Sequence, residues 1–121
     1  MDISTDNILL AVYGTLKKGF HNHYFLKSSE FIGKGVTKDE YTMTKSSIPF
    51  VNETGSTPIK VEVYKISPIT LSNIDLLEGH PNWYNRKEVK IKIDDKLISA
   101  WLYFNNNYDH LPIVEDGEFK K

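Results

Sequence analysis

The sequence predicts an α+β domain: a small mixed β-barrel of about five or six strands with two short flanking helices. Segments rich in β-branched and aromatic residues recur between turn residues, and only two segments have helical signals. The spaces between the strands leave little room for β-α-β crossovers, which argues against a doubly wound parallel sheet. With 121 residues, 40% of them apolar, residues 1–121 are expected to form one domain around one core.

The first strand is predicted over residues 8–13, where a short apolar run ends at Gly14. Such a run is typical of a strand that is covered on both faces. Residues 14–23 then form a predicted loop, with glycines at positions 14 and 19. A short helix over residues 22–28 is expected to follow, with Tyr24 or Phe25, and Leu26, facing inward.

The next three segments contain strand formers and turn formers in different proportions. Residues 31–44 combine β-formers with glycines at 33 and 35, which predicts one bent or bulged strand. Residues 46–58 are rich in turn formers and are predicted to be a surface loop. Residues 59–66 are predicted to form a strand, because Ile59, Val61 and Val63 share one parity.

The second helix has clear signals at both ends. Ser67 is a good N-cap and Pro68 suits the first helical position, whereas Gly79 and then Pro81 stop a helix. Between these ends, one face is marked by three apolar residues, namely Leu71, Ile74 and Leu77. Glu78 is therefore predicted to lie in the last helical turn.

The clearest strand periodicity comes near the end of the chain. Three apolar residues, Val89, Ile91 and Ile93, alternate with Glu88, Lys90 and Lys92, which predicts a strand with one solvated face. Residues 94–96 are a predicted turn, and residues 97–104 a strand that pairs back as a hairpin. The polar start of the chain and residues 115–121 are expected to be frayed.

Composition excludes several function classes. Fifteen basic and 16 acidic residues give a net charge of −1, so no positive field favours a nucleic-acid partner. There is no cysteine for a disulfide, a thiolate nucleophile or a Cys-based zinc site. The apolar runs are far shorter than the roughly 20 residues of a membrane span. Because the first residues are polar and acidic, unlike a signal peptide, we expect a cytoplasmic protein without a membrane partner.

The turn after the first strand is the first candidate site. A glycine at the end of a buried strand lets backbone N–H groups face a pocket, where they can hold a carboxylate or an oxyanion. Taken alone, Gly14 is better explained by a tight turn. Gly14 and Gly19 also have the spacing of a phosphate loop, but Phe20-His21 replaces the required Lys-Ser/Thr. Nucleotide binding of that type is therefore excluded.

Glu78 is the second candidate. It follows two leucines at a helix end and precedes a turn that contains Trp83 and Tyr84. An apolar setting raises the pKa of a carboxyl, which suits proton transfer near neutral pH, although a helix C-terminus disfavours an anion. The alternative is an ordinary solvated glutamate paired with Arg86.

The histidines offer weaker evidence for a metal site. His21 and His23 are close in sequence, but no third ligand is evident nearby. We therefore predict no metal site.

The two candidate segments together resemble the γ-glutamyl cyclotransferase-like family, and within it the γ-glutamylamine cyclotransferase and AIG2-like branch. The resemblance rests on Val12-Tyr13-Gly14-Thr15-Leu16-Lys17-Lys18-Gly19 with Asn22-His23, on Ile74-Asp75-x-Leu77-Glu78-Gly79 with Tyr84-x-Arg86, and on Ala100-Trp101-Leu102-Tyr103. The motifs occur in the family's order through nearly the whole chain. Gly117-Glu118-Phe119 loosely resembles the family's Gly-acid-aromatic tail element.

The resemblance implies a pocket for a γ-glutamyl group, conversion of a γ-glutamyl amine or peptide to 5-oxoproline, and Glu78 as the catalytic acid/base. The reaction that it implies needs no metal and no organic cofactor. It implies substrate contacts from seven further residues: Tyr13, Gly14, Thr15, Leu16, Tyr84, Arg86 and Tyr103. We expect the loops at residues 20–24 and 46–58 to enclose the leaving amine, and the protein to be a monomer or weak dimer. The open alternative is a non-catalytic module that binds a small carboxylate or a partner's tail in the same pocket.

Overall fold

A computed structural model describes residues 8–121 of the chain, and a closed five-stranded barrel forms its centre. The strands are β1 (Ile8–Val12), β2 (Glu30–Thr37), β3 (Tyr41–Lys45), β4 (Pro49–Thr57), β5 (Lys60–Ile66), β6 (Asn85–Ile93) and β7 (Lys96–Phe104), with one α-helix, α1 (Pro68–Glu78), and 3-10 helices at His23–Leu26 and Asn106–Tyr108. The barrel order is β1-β5-β2-β6-β7, and β3 and β4 form a separate hairpin. The polar start of the chain, for which fraying is predicted, lies outside the described residues.

The barrel is mixed because its closing contact is parallel. Leu10 of β1 pairs with Trp101 of β7 in parallel, whereas the other pairs of neighbouring strands in the barrel are antiparallel. The small mixed barrel of the sequence-based prediction is confirmed. In the described residues, no helix is long and apolar enough to span a membrane.

The structure confirms α1 and the β6–β7 hairpin, the two elements with the clearest local sequence signals. The Ser67 hydroxyl accepts a hydrogen bond from the Thr70 N–H at 3.1 Å, and α1 ends at Gly79 in the left-handed conformation, with φ 67°. The β6–β7 hairpin pairs without a shift from Asn85–Phe104 to Ile93–Lys96. Helix capping and apolar–polar alternation are sufficient to predict these elements, because each depends on residues that are close in sequence.

Three predicted elements need correction. The helix expected over residues 22–28 is a 3-10 turn at His23–Leu26, since so short a segment cannot repay α-helix nucleation. The bulged strand expected over residues 31–44 is two strands, β2 and β3, although the bulge itself is present between Phe31 and Gly33. The surface loop expected over residues 46–58 contains β4, whose first four residues are buried.

Two apolar clusters fill the interior. One lies inside the barrel and reaches the β3–β4 hairpin, with Met43, Val51, Val63 and Leu102 among its fully buried members. The other packs the first and last barrel strands against α1, whose Ile74 is fully buried. The cavity described below lies beside this second cluster.

The chain end is docked rather than frayed, which corrects the prediction for residues 115–121. Phe119 is only 8% exposed, and the Lys60 N–H donates to the Gly117 carbonyl at 2.9 Å. The Lys17 ammonium donates to the Phe119 carbonyl at 2.6 Å, and the Phe20 ring lies 5.5 Å from the Phe119 ring. The tail therefore supports the loop that follows β1.

Replacement of Lys17 by methionine is expected to weaken this support. Lys17 is only 8% exposed, so its loss leaves the Phe119 carbonyl without its donor and costs about 1–2 kcal/mol of unfolding free energy. Urea denaturation of Lys17→Met checks this. The control is the exposed neighbour, Lys18→Met. Equal stability of the two variants would refute the conclusion that the Lys17–Phe119 hydrogen bond stabilises the protein.

Candidate active site

A cavity of ≈ 130 Å³ lies between the end of β1, the end of α1 and the start of β4. Its wall is formed by Ala11, Val12, Tyr13, Gly14, Thr15, Leu16, His21, Asn22, Ile48, Pro49, Leu77, Glu78, Trp83, Tyr84 and Tyr103. The structure thus brings the Tyr13–Leu16 turn and Glu78 to one cavity, although they are more than 60 positions apart in the sequence.

Gly14 is needed at this wall because another segment approaches it closely. A Cβ at this position would lie 2.9 Å from Cγ of Pro49 and 3.3 Å from its Cδ. Gly14 does not have a positive φ, so the requirement is space rather than backbone conformation. A tight turn alone, the simpler explanation of Gly14, is therefore incomplete.

Three successive backbone donors of the turn have no acceptor among residues 8–121. The Lys17 N–H donates to the Gly14 carbonyl at 3.0 Å and so closes the turn. Within residues 8–121, the N–H groups of Gly14, Thr15 and Leu16 donate no hydrogen bond to the protein. Consecutive free N–H groups at a concave turn are suited to bind an anion.

Side chains of the following loop hold this turn in place. Asn22 Nδ2 donates to the Thr15 hydroxyl at 2.9 Å, and the Asn22 N–H donates to the Thr15 carbonyl at 3.0 Å. Nδ1 of His23 lies 2.9 Å from the Leu16 carbonyl oxygen. The Asn22-His23 pair that the sequence motif contains is therefore occupied in holding the turn. In the described part of the chain, no group of three or more His, Asp or Glu side chains could hold a metal ion.

Glu78 supplies the carboxylate of the cavity wall. Burial is the main reason why the pKa of Glu78 is raised to about 7, and the negative charge of Asp75 raises it further. Among residues 8–121, no group donates a hydrogen bond to the Glu78 carboxylate or forms an ion pair with it. At neutral pH this group therefore exists in comparable amounts as acid and as base, which suits proton transfer.

Arg86 does not pair with Glu78, contrary to the alternative that the sequence left open. Its Nε and Nη2 contact the two carboxylate oxygens of Asp75 at 2.9 and 3.1 Å, and its guanidinium lies 4.5 Å from the centre of the Trp101 ring. Arg86 is also the one predicted contact residue that is absent from the cavity wall. In this geometry Arg86 donates two hydrogen bonds to Asp75.

Three tyrosines form the polar part of the buried wall. The Tyr13 hydroxyl donates to the Tyr103 carbonyl at 2.7 Å, the Tyr103 hydroxyl to Asp75 at 2.6 Å, and the Tyr84 hydroxyl to the Pro49 carbonyl at 2.8 Å. Burial raises the pKa of each of these phenols above its ordinary value. All three therefore remain neutral hydrogen-bond donors across the physiological range.

Sequence reasoning missed Asp75 and Pro49 as parts of this arrangement. Asp75 precedes Glu78 by three positions on one helix, and this spacing was a usable signal for a shared face. Burial raises the pKa of Asp75, but hydrogen bonds from Arg86 and Tyr103 outweigh this effect and hold it below its ordinary value. Pro49 had no local signal, because its contact with Gly14 depends on the fold.

An added methyl group at Gly14 is expected to displace the cavity wall. Gly14→Ala forces Pro49 to move by a few tenths of an ångström or more, at a cost of about 1–3 kcal/mol of stability. Thermal denaturation measures this change. Gly55→Ala is the control, because its Cβ would have no neighbour closer than 3.8 Å; if both variants melt like the wild type, the tight contact does not exist.

Comparison with known proteins adds three findings. The sequence profile described as gamma-glutamyl cyclotransferase, AIG2-like matches residues 10–121. A Methanocaldococcus jannaschii protein with a provisional gamma-glutamylcyclotransferase name is 49% identical over 112 residues, covering 90% of this chain and 92% of that protein. Gamma-glutamylaminecyclotransferase C of Danio rerio is 38% identical over 92 residues, covering 68% of this chain and 60% of that protein.

A solved structure has the same fold. The crystal structure of an AIG2-like protein of Mus musculus superposes with a TM-score of 0.83 and covers 93% of this chain and 88% of that one. Its sequence identity is 21%, so this similarity concerns the fold alone.

Proposed function

Since the chain belongs to the gamma-glutamyl cyclotransferase, AIG2-like family, we propose that it converts a γ-glutamyl amine or γ-glutamyl peptide into 5-oxoproline and a free amine. The observation that supports this most is the position of Glu78, whose pKa is raised to about 7. It lies in the same cavity as the N–H groups of the Gly14–Leu16 turn, which have no acceptor in the described part of the chain. One group can move a proton and the other can hold a negative charge.

The substrate supplies its own nucleophile in this reaction. Its α-amine lies within reach of the side-chain amide carbonyl, and attack closes a five-membered lactam ring. Holding the substrate folded in the cavity makes this attack intramolecular, an effect worth about 7–11 kcal/mol of the barrier in the most favourable cases. The buried tyrosine wall limits the conformations open to the glutamyl chain.

Glu78 moves the protons. As a carboxylate it accepts one proton from the α-ammonium group, and the freed amine attacks the carbonyl carbon. As an acid it then delivers that proton to the nitrogen of the breaking C–N bond. The attacking nitrogen loses a second proton, which the released amine takes up as it becomes an ammonium ion. Mass and charge are thus conserved without water or a cofactor.

The Gly14–Leu16 turn stabilises charge during these steps. Its N–H groups hold either the substrate's α-carboxylate or the oxyanion that forms at the attacked carbonyl. Preorganised donors of this kind stabilise a developing charge without reorganisation at the moment of reaction, and one donor is worth about 3 kcal/mol. The Asn22 and His23 contacts keep the donors in place.

A product screen tests the proposal. The protein is incubated with γ-glutamyl amines, γ-glutamyl amino acids and glutathione, and 5-oxoproline is measured by mass spectrometry. We expect release from at least one compound. Thermal stabilisation by these compounds without any release would instead indicate the binding module that the sequence left as the alternative.

A further inference from the structure

A second cavity, of ≈ 410 Å³, lies between strands β2 and β5 and the 3-10 turn at His23–Leu26. Glu62 and Tyr64 of β5 line it and alternate with residues of the apolar cluster inside the barrel, so this outer cavity lies on the barrel's outer face. It shares no lining residue with the candidate active site. Its volume is within the range of about 300–1,000 Å³ that is typical of small-molecule sites, so it can hold a ligand of its own.

The wall of the outer cavity is aromatic on one side. Phe31 of β2 is paired directly opposite Tyr64 of β5, and their ring centres are 5.3 Å apart. The His23 ring lies 5.7 Å from the Tyr64 ring. Tyr64 is only 4% exposed, whereas Phe31 is 50% exposed. A half-exposed aromatic side chain at a cavity offers a surface on which a planar ring can stack.

The outer cavity also has an excess of positive charge. Lys18, Lys27 and Lys34 line it, and in the described part of the chain none of their ammonium groups is paired with a carboxylate. Glu62 is the one acidic residue of this wall, and its Oε1 accepts hydrogen bonds from the Tyr64 hydroxyl at 2.9 Å and the Lys18 N–H at 3.0 Å. Three ammonium groups and one carboxylate leave a net charge of +2. This charge is complementary to a dianion such as a phosphate monoester.

Two residues of this wall are also linked to the turn of the candidate active site. His23 Nδ1 lies 2.9 Å from the Leu16 carbonyl oxygen of that turn. Lys18 directly follows Lys17, whose N–H closes the turn, and its own N–H is bonded to Glu62. A ligand that restricts His23 and Lys18 therefore also restricts the turn, through contacts that are continuous from one cavity to the other.

We propose that the outer cavity binds a planar aromatic ring that carries a phosphate monoester, the chemistry of a nucleoside monophosphate, and that its occupation stiffens the Gly14–Leu16 turn. The ring stacks on Phe31. The phosphate pairs with the ammonium groups of Lys18, Lys27 and Lys34. Binding at this site does not depend on the cyclotransferase activity, whereas the effect of the stiffened turn on turnover rests on the proposed function.

Calorimetric titration with adenosine 5′-monophosphate as the probe tests the site. Two partial compounds are titrated beside it, since adenosine lacks the anion and inorganic phosphate lacks the ring. We expect the monophosphate to bind one site per chain at least about tenfold more tightly than either partial compound, and more weakly as the NaCl concentration is raised. Absence of binding at millimolar monophosphate, or equal binding of adenosine or inorganic phosphate, would overturn the inference.

Variants assign the binding to the outer cavity. Phe31→Ala is expected to weaken monophosphate binding about tenfold, and Phe31→Tyr to retain it. The matched control is Leu97→Ala, at an apolar side chain that is 51% exposed on another barrel strand and outside this cavity. Lys34→Gln should weaken binding about fivefold, whereas Lys96→Gln, which removes the same charge outside the cavity, should not. Equal affinities of each variant and its control would overturn the assignment.

The effect on the turn is measured as kcat/KM for release of 5-oxoproline from a γ-glutamyl compound. We expect saturating adenosine 5′-monophosphate to raise kcat/KM of the wild type about twofold or more. The double variant Phe31→Ala/Lys34→Gln should have the wild-type basal rate and no response. A wild-type kcat/KM that is unchanged or lowered by the bound monophosphate would overturn the coupling alone. Absence of 5-oxoproline with and without the monophosphate would overturn the proposed function, and the titrations would still decide the binding site.

Discussion

Glu78→Gln is expected to reduce the catalytic efficiency of the cyclotransferase reaction by about 10²- to 10⁴-fold, because glutamine can neither accept nor deliver the proton. The amide keeps the size of the carboxyl group, so the cavity keeps its shape. The matched control is Glu88→Gln on the solvated face of β6, which should react at the wild-type rate. Full activity of Glu78→Gln on any γ-glutamyl compound would exclude the assigned role.

The same variant should be more stable than the wild type at mildly alkaline pH. The folded-state pKa of Glu78 is raised from 4.5 to about 7, so its protonated form is favoured by folding. The stability that this provides is present below the unfolded-state pKa and is lost as the pH rises through about 7. A rise of this size corresponds to roughly 3 kcal/mol at most.

Chemical denaturation of wild type and Glu78→Gln across the range from acidic to mildly alkaline pH checks this linkage. The difference between the two unfolding free energies isolates Glu78 from other titrating groups, among them Asp75, whose lowered pKa acts in the opposite direction. We expect the variant's advantage to grow with pH and then level off. A difference that is constant with pH would mean that Glu78 has an ordinary pKa.

Asp75→Asn is expected to have the second large effect. The carboxylate receives two bonds from Arg86 and one from the Tyr103 hydroxyl, and the side chains of Asp75 and Arg86 are only about one-fifth exposed. Loss of the charge leaves a mostly buried guanidinium without its partner, which costs about 2–3 kcal/mol of stability. Urea denaturation measures the loss, and Asp95→Asn in the exposed β6–β7 turn is the control.

A positioning role for Asp75 has a second consequence that stability alone does not produce. The Asp75 charge contributes to the raised pKa of Glu78, after burial. In Asp75→Asn the acidic limb of the kcat/KM profile should therefore move to lower pH, in addition to any loss of rate. An unchanged limb would limit Asp75 to a structural role.

The parts of the fold that the sequence predicted correctly depend on close neighbours. The cap at Ser67, the stop at Gly79 and the alternation of Val89, Ile91 and Ile93 each carry a local physical signal. The surface loop predicted at residues 46–58 was wrong for the opposite reason. Its serines, prolines and glycine favour turns, but burial of Phe50 and Val51 against the rest of the core makes it a strand.

The sequence predicted the single segments of the candidate site but not the contacts between them. Tyr13–Leu16 and Glu78 were singled out by their local settings, and the structure brings both to one cavity. Arg86, which was predicted to contact the substrate, binds Asp75 and is absent from the cavity wall. That contact, like the one between Tyr103 and Asp75, joins residues from different elements. Pairing across 11 or 28 positions is set by the packing of the barrel against α1, which no local pattern encodes.

The pH dependence of kcat/KM in the wild-type protein, with release of 5-oxoproline as the readout, tests most directly whether Glu78 moves the protons. In the free protein Glu78 must be ionised to accept the first proton, so kcat/KM should rise about tenfold per pH unit and level off above a pKa of about 7. A profile that is flat through this region, or that levels off near the ordinary carboxyl value of 4.5, would contradict the account.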